Sequence, residues 1–347
     1  MMHDDPILVW GAGAIGGTIG AFLRRAGHDV TFVDLVEDHV AAIAGGGLTI
    51  RGPVAEFTTG GPAFTPAALS GRFRRVILAV KAHHTADAAR ALAPHLTEDG
   101  YVVSAQNGLN ELVLADILGA SRVIGAFVNF GADWHGPGDI LYANRGAVVL
   151  GELDGARTPR ILALHALLRD FDAVTVIADD IFAYLWGKIG YGALLKASAL
   201  TNETIADFID APALRPLHLA LIGEVMAVAT AAGVRPIGFN GYDPDAFGRG
   251  DAAAIDASIA AIAAFNRATA KPRSGIWRDL AVRRRPTDAG AQLAPVLAMA
   301  RRHGIATPVL DRLVALIGAV ERGEREIGME LAENLLGIAT ARQGAEA

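Results

Sequence analysis

The sequence predicts an α/β domain built on a doubly wound parallel sheet, followed by an all-helical domain. Three observations carry this. A strand, a three-glycine turn and a helix start follow one another within residues 7–17. Apolar runs then alternate with helical patterns as far as residue 178. From 179 to 347 only helical periodicity remains, which sets the domains at 1–178 and 179–347.

The opening stretch reads Ile7-Leu8-Val9-Trp10-Gly11-Ala12-Gly13-Ala14-Ile15-Gly16-Gly17. Residues 6–10 form the strand. Gly11 allows the sharp turn off it, Gly13 leaves room for a pyrophosphate to approach the backbone, and Gly16 lets the following helix lie close to the sheet. The N–H groups at the start of that helix, over Ala14, Ile15 and Gly16, are placed to hold phosphates. The helix over 18–26 stops at Gly27, and a second strand over 29–33 ends on Asp34. A carboxylate there accepts both adenosine ribose hydroxyls and repels a 2′-phosphate, so NAD is expected in preference to NADP. NADP stays possible because Arg24 and Arg25 are near in sequence, although late in the helix they are expected to face solvent.

A helix over 36–44 ends at Gly45-Gly46-Gly47, and 48–59 is an extended excursion. The unbroken apolar run 75–80 is a parallel strand covered on both faces, ending at Lys81. A helix over 85–96, a strand over 101–104 leading into Gln106-Asn107-Gly108, and a strand over 122–128 come next. Ligands of doubly wound sheets sit at the carboxyl ends of the strands, which puts Lys81 and Asn107 on the rim of the glycine turn. Short β segments fill 130–152, and a helix over 156–170 and a strand over 173–177 close the domain. Helices are predicted over 180–200, 203–210, 213–233, 245–270, 288–303 and 309–321. The most apolar stretch, 217–234, is interrupted by His218 and Glu224 and reads as a buried helix, not a membrane span.

At 347 residues two domains are expected, with 52% hydrophobic residues to fill their cores. The net charge of −6, with no basic stripe, argues against a nucleic-acid partner. The absence of cysteine excludes disulfide and thiolate chemistry and fits a cytoplasmic setting. Residues 1–5 are polar and acidic, unlike a signal peptide. His83 and His84 adjoin each other, but no carboxylate or cysteine spacing makes them a metal site.

Taken in order, Gly11-Ala12-Gly13-Ala14-Ile15-Gly16, Val80-Lys81, Gln106-Asn107-Gly108, Trp186-Gly187-Lys188, Pro286-Thr287-Asp288 and His303-Gly304-Ile305-Ala306-Thr307-Pro308 resemble the ketopantoate reductase (2-dehydropantoate 2-reductase) family across nearly the whole chain. The resemblance implies a Rossmann domain and a helical domain like that of 6-phosphogluconate dehydrogenases, with the active site in the cleft between them. It further implies reduction of a 2-keto acid by a nicotinamide cofactor, usually NADPH, and a homodimer. By the same resemblance Lys188 is the catalytic lysine, able to stabilise a growing alkoxide and to donate its proton. Its neighbours Leu185, Trp186 and Ile189 favour partial burial. Asn107 would bind substrate and nicotinamide, and Lys81 would lie near the cofactor.

Asp288 stands where the family carries a glutamate that orients the substrate hydroxyl and the lysine. Pro286-Thr287-Asp288 is equally a good helix-capping sequence, and both readings stand. The family's asparagines four and eight residues after the lysine are here Gly192 and Lys196, and its paired serine motif is reduced to Ser274 followed by Gly275. One extra residue separates Asp279 from Thr287-Asp288. Lost donors weaken discrimination of a substrate hydroxyl, which leaves the particular 2-keto acid open. Lys196, with Ser274 or Arg273, is a candidate for the substrate carboxylate; Lys196 is alternatively a structural lysine with its stem buried and its head in solvent. Two other readings remain: a dehydrogenase of another hydroxy acid such as a 3-hydroxy acid, and a non-catalytic NAD(H)-binding sensor.

Overall fold

A strand apolar at every position needs cover on both faces, and β1 (Ile7–Trp10) is buried at all four. In the computed structural model the chain continues through α1 (Ala14–Arg25), β2 (Val30–Val33), α2 (Glu37–Gly45), β3 (Leu48–Arg51), β4 (Phe57–Thr59), β5 (Ala63–Phe64) and β6 (Phe73–Leu78). Next come α3 (Thr85–Leu92), β7 (Leu96–Ser104), α4 (Asn110–Leu118), β8 (Val123–Val128), β9 (Gly131–Gly136), β10 (Asp139–Asn144), β11 (Val148–Glu152), α5 (Pro159–Leu168) and β12 (Val176–Ile177). The structure describes residues 5–269 and 271–346, with side chains to 341. Of the acidic opening stretch, residues 1–4 lie outside them.

Eight strands form one sheet in the order β12-β11-β8-β7-β6-β1-β2-β5. All from β8 to β5 run parallel, and β11 returns antiparallel to β8. Alternate residues of β1 enter different cores. Ile7 and Val9 pack with Ile19 and Leu23 of α1 and Ile43 of α2, whereas Leu8 and Trp10 pack with Ala89 and Leu92 of α3 and Leu114 of α4. Helices therefore cover both faces, as the doubly wound pattern requires.

The register decides which loops become neighbours. Trp10 pairs with both Val33 and Leu78, and Leu78 pairs with Ser104. Parallel strands in this register end on one edge, so the loops that begin at Asp34, Gly11, Ala79 and Ala105 leave the sheet side by side.

The excursion over 48–59 is a hairpin, β3 and β4, which joins β10 and β9 in a separate sheet of order β4-β3-β10-β9. The link is the parallel pairing of β3 with β10. Ile50, Ile140 and Tyr142 of this sheet share the core of α1. The strand predicted over 173–177 is real only over Val176–Ile177.

Two compact units divide the chain, Met1–Ile181 and Phe182–Ala347. The second is helical: α6 (Ile181–Ser198), α7 (Ile205–Asp210), α8 (Arg215–Ala231), α9 (Pro244–Arg249), α10 (Ala252–Arg267), α11 (Gly275–Trp277), α12 (Ala289–Arg302), α13 (Pro308–Glu321) and α14 (Met329–Glu346). The helix predicted over 245–270 is broken at Gly250, which takes φ +66°, and Asp251 caps the new start by accepting the Ala254 N–H at 3.1 Å. The terminal α14 lies beyond the predicted helices; Leu331, Ala332, Leu335 and Ala339 bury it. Residues 212–231 are long and apolar enough for a membrane span. Leu217, Leu221, Ile222, Val225 and Val228 are nevertheless buried within the helical unit, and the Glu224 carboxylate accepts the N–H groups of Val309 and Leu310 at the start of α13.

Candidate functional site

Each glycine of the first turn does a different thing. Gly11 takes φ +94°, and a Cβ there would stand 2.9 Å from Ala79 and Val80, so the loop after β1 passes hard against the loop after β6. A Cβ at Gly16 would collide with the Gly11 carbonyl, which places α1 directly on the turn. At Gly13 a Cβ would meet nothing within 4 Å. Gly13 is also the N-cap of α1, with no side-chain cap and no acidic residue in the first turn. The start of α1 is thus an open cradle with a positive dipole end, the shape and charge a pyrophosphate needs.

Asp34 comes directly after β2 on the same edge. Its Oδ1 accepts the Val36 N–H at 3.0 Å, which holds the carboxylate at the strand tip. The two neighbouring arginines are engaged elsewhere. Arg24 donates to the Gly60 carbonyl at 2.9 Å and pairs with Asp29 at 3.2 Å, so it does not simply face solvent as expected. The Arg25 guanidinium lies 4.6 Å from the centre of the Phe57 ring.

Lys81 is exposed and leads into the single turn Ala82–His84, which contains His83 and His84. Asn107 is exposed on the neighbouring loop. Buried side chains tie these two loops together. Gln106 donates to the Val80 carbonyl at 2.9 Å and to the Thr85 hydroxyl at 2.8 Å. Thr85 donates to Asn110 Oδ1 at 2.8 Å, and Asn110 donates to the Asn107 carbonyl at 2.8 Å. No sequence motif marks Thr85 or Asn110; both belong to helix starts, and only the fold shows that they share a network.

In the helical unit Lys188 is half-buried on α6 among Leu185, Trp186 and Ile189, all buried. Two turns further, Lys196 is 3% exposed, and its ammonium donates to Gln292 Oε1 of α12 at 2.8 Å. Lys196 is not a lysine with its head in solvent. Burial lowers its pKa to about 8, against an opposing pull from the Asp288 carboxylate. The ammonium lies 3.3 Å from where a Cβ of Gly192 would be, folding back along the helix over a position that has no side chain.

Asp288 occupies the N-cap position of α12, yet its side chain makes no capping bond. Thr287 serves the local backbone instead, accepting the Ala289 N–H at 3.2 Å while its own hydroxyl donates to Glu321 at 2.6 Å. The Asp288 carboxylate is buried and faces the charge of Lys196. Gln292 is the member of this group that no sequence motif pointed to.

Ser274 caps α11 by accepting the Trp277 N–H at 3.2 Å, which leaves its O–H able to donate elsewhere. Arg273 stacks on the Trp277 ring at 4.6 Å and donates to the Asn202 carbonyl at 2.7 Å. Residues Arg278–Val282 then form a π-helical turn closed by the Arg283 N–H to the Arg278 carbonyl at 2.8 Å. The structure thus gathers Gly11–Gly16, Asp34, Lys81 and Asn107 on one rim of the first unit. In the second it gathers Lys196, Asp288 and Gln292 between α6 and α12, with Lys188 also on α6.

Two family models match the chain, "Ketopantoate reductase PanE/ApbA" over residues 7–155 and "Ketopantoate reductase PanE/ApbA C terminal" over 180–321. The 2-dehydropantoate 2-reductase of Mesorhizobium japonicum is 29% identical over 342 residues, covering 91% of this chain and 98% of that protein. Among solved structures, 2-dehydropantoate 2-reductase from Geobacter metallireducens superposes with a TM-score of 0.76 at 27% identity, over 90% of this chain and 99% of that one. D-mandelate dehydrogenase, solved with NADH and anilino(oxo)acetate, superposes with a TM-score of 0.80 at 18% identity, over 92% and 99%, a likeness of fold.

Proposed function

The chain belongs to the ketopantoate reductase PanE/ApbA family and is an oxidoreductase acting on a CH–OH group, and we propose that it reduces a 2-keto acid to the 2-hydroxy acid with NADH in preference to NADPH. The observation that carries the cofactor reading is the rim of the first unit: an open Gly13 cradle with the Asp34 carboxylate beside it, and Arg24 and Arg25 committed to Asp29, Gly60 and Phe57. A carboxylate whose two sequence-near arginines make other contacts suits ribose hydroxyls and disfavours a 2′-phosphate.

When bound, the reduced nicotinamide supplies the hydride. In this reading the backbone of Gly11–Gly16 and Asp34 hold the dinucleotide, and Lys81 and Asn107 orient its reactive end. Lys188 donates the proton to the alkoxide oxygen that forms at the keto carbon. Asp288 balances the Lys196 charge in the helical unit, while Lys196 and the Ser274 hydroxyl contact the substrate carboxylate. The protein is proposed to act as a cytoplasmic homodimer.

The test of the cofactor reading is kcat/KM with NADH and with NADPH on a panel of 2-keto acids, ketopantoate included. Wild type is expected to favour NADH. The double substitution Asp34→Ala, Leu35→Arg is expected to move the NADPH/NADH ratio upward by about tenfold or more. An unchanged ratio removes Asp34 from the ribose site.

A further inference from the structure

One buried side chain outside the motifs grips the glycine turn itself. His39, on α2, is 1% exposed. Its Nε2 is 2.9 Å from the carbonyl oxygen of Ala12, the residue between Gly11 and Gly13. Its Nδ1 accepts the Gly138 N–H at 2.9 Å, with the Trp134 indole N–H a longer second donor at 3.4 Å. These partners dictate the proton. A backbone N–H only donates and a carbonyl only accepts, so Nδ1 is bare and Nε2 carries the hydrogen. The imidazole is a neutral, two-ended bridge from the turn to the loop joining β9 and β10 in the second sheet.

The bridge acts on a phosphate donor through peptide planarity. The Ala12 carbonyl and the Gly13 N–H belong to one planar trans unit and point in opposite directions. Fixing the carbonyl toward His39 therefore aims the Gly13 N–H away from it. The Ala12 N–H is held as well, by the Val33 carbonyl at 3.1 Å, so the residue is clamped on both sides. At its other end the bridge is anchored where α2 and the β9–β10 loop touch: Gly138 takes φ +69°, and a Cβ there would stand 3.0 Å from the Ala42 Cβ.

We propose that His39 is a positioning residue for the dinucleotide, fixing the Ala12–Gly13 peptide so that the Gly13 N–H faces the pyrophosphate, with the second sheet as its brace. The inference rests on the dinucleotide reading of the glycine turn. It also gives the second sheet a role in binding, since that sheet supplies the Gly138 N–H that selects the tautomer.

The test is direct binding of NADH to the full-length protein by titration calorimetry, for wild type, His39→Phe and His39→Gln, with thermal midpoints measured alongside. His39→Phe fills the space without either nitrogen and is expected to raise the Kd for NADH about tenfold. The KM for NADH is expected to rise with it, and the KM for the keto acid is not. His39→Gln presents an amide N–H toward the Ala12 carbonyl and is expected to recover most of the affinity. A wild-type Kd in a folded His39→Phe variant overturns the proposal. If that variant does not fold, ¹⁵N NMR of wild type decides: the Nε2–H tautomer of His39 with NADH bound supports the bridge, and the Nδ1–H tautomer overturns it. Failure of wild type to bind NADH, and NADPH titrated in the same way, overturns the dinucleotide reading itself, a result distinct from the other two.

Discussion

The proton donor of the proposed reaction has to be sheltered from bulk water, and Lys188 on α6 is partly withdrawn from it. Leu185, Trp186 and Ile189 around it are buried while Lys188 itself is half-buried. Lys188→Ala is expected to lower turnover by about 100-fold or more and to leave the Kd for NADH near its wild-type value, since the side chain stands in the other unit from the glycine turn. Single-turnover decay of the NADH absorbance, together with calorimetry, separates the two effects; surviving turnover would assign the proton to another group. The capping reading of Asp288 is also tested at this scale. Capping and charge balance predict different partners for one carboxylate. Thr287 takes the local backbone bond, and Asp288 faces Lys196.

Helix α6 carries Lys188, Gly192 and Lys196 along one face. With no side chain at Gly192, the Lys196 ammonium folds over that position, and Gln292 and Asp288 of α12 receive it. The pKa of Lys196, lowered to about 8 by burial, makes this testable. Above about pH 8 the ammonium loses its proton, so the KM for the keto acid is expected to climb. Lys196→Arg keeps its charge across that range and is expected to abolish the climb. Lys196→Met is expected to raise KM by about tenfold already at neutral pH. Identical pH profiles in the three proteins would leave Lys196 a purely structural cation. The stripe 188–192–196 could be read from helical spacing alone, because i, i+4 and i+8 share a face. Its partner Gln292 could not, since nothing local in a sequence announces a contact made 96 residues away.

The same division between local and distant information runs through the whole molecule. The glycine turn, Asp34, Lys81 and Asn107 were legible because each lies just past a strand, and one parallel register aligns those strand ends. The second sheet was not, because it depends on β3 pairing with β10 across an intervening run of sheet and helix. His39 shows the cost of that blindness: in sequence it is one histidine early in a helix, and its meaning depends on the Gly138 N–H supplied by that sheet. Histidine inside the helical unit has a different consequence, for stability. His218 on α8 is fully buried against Phe208. Burial, helped by the Arg215 charge and opposed by the Phe208 backbone, lowers its pKa to about 4 from 6.5. Between those values the unfolded chain binds a proton that the folded unit refuses. The stability owed to the neutral ring is therefore complete above pH 6.5 and is lost as pH falls toward 4, a swing of about 3 kcal/mol. Urea unfolding of wild type and His218→Leu at about pH 7 and about pH 4 measures it. The variant is expected to lose about 3 kcal/mol less than wild type over that interval, with the remaining loss common to both. Equal losses in the two proteins would mean that His218 is protonated in the folded state at the lower pH without penalty.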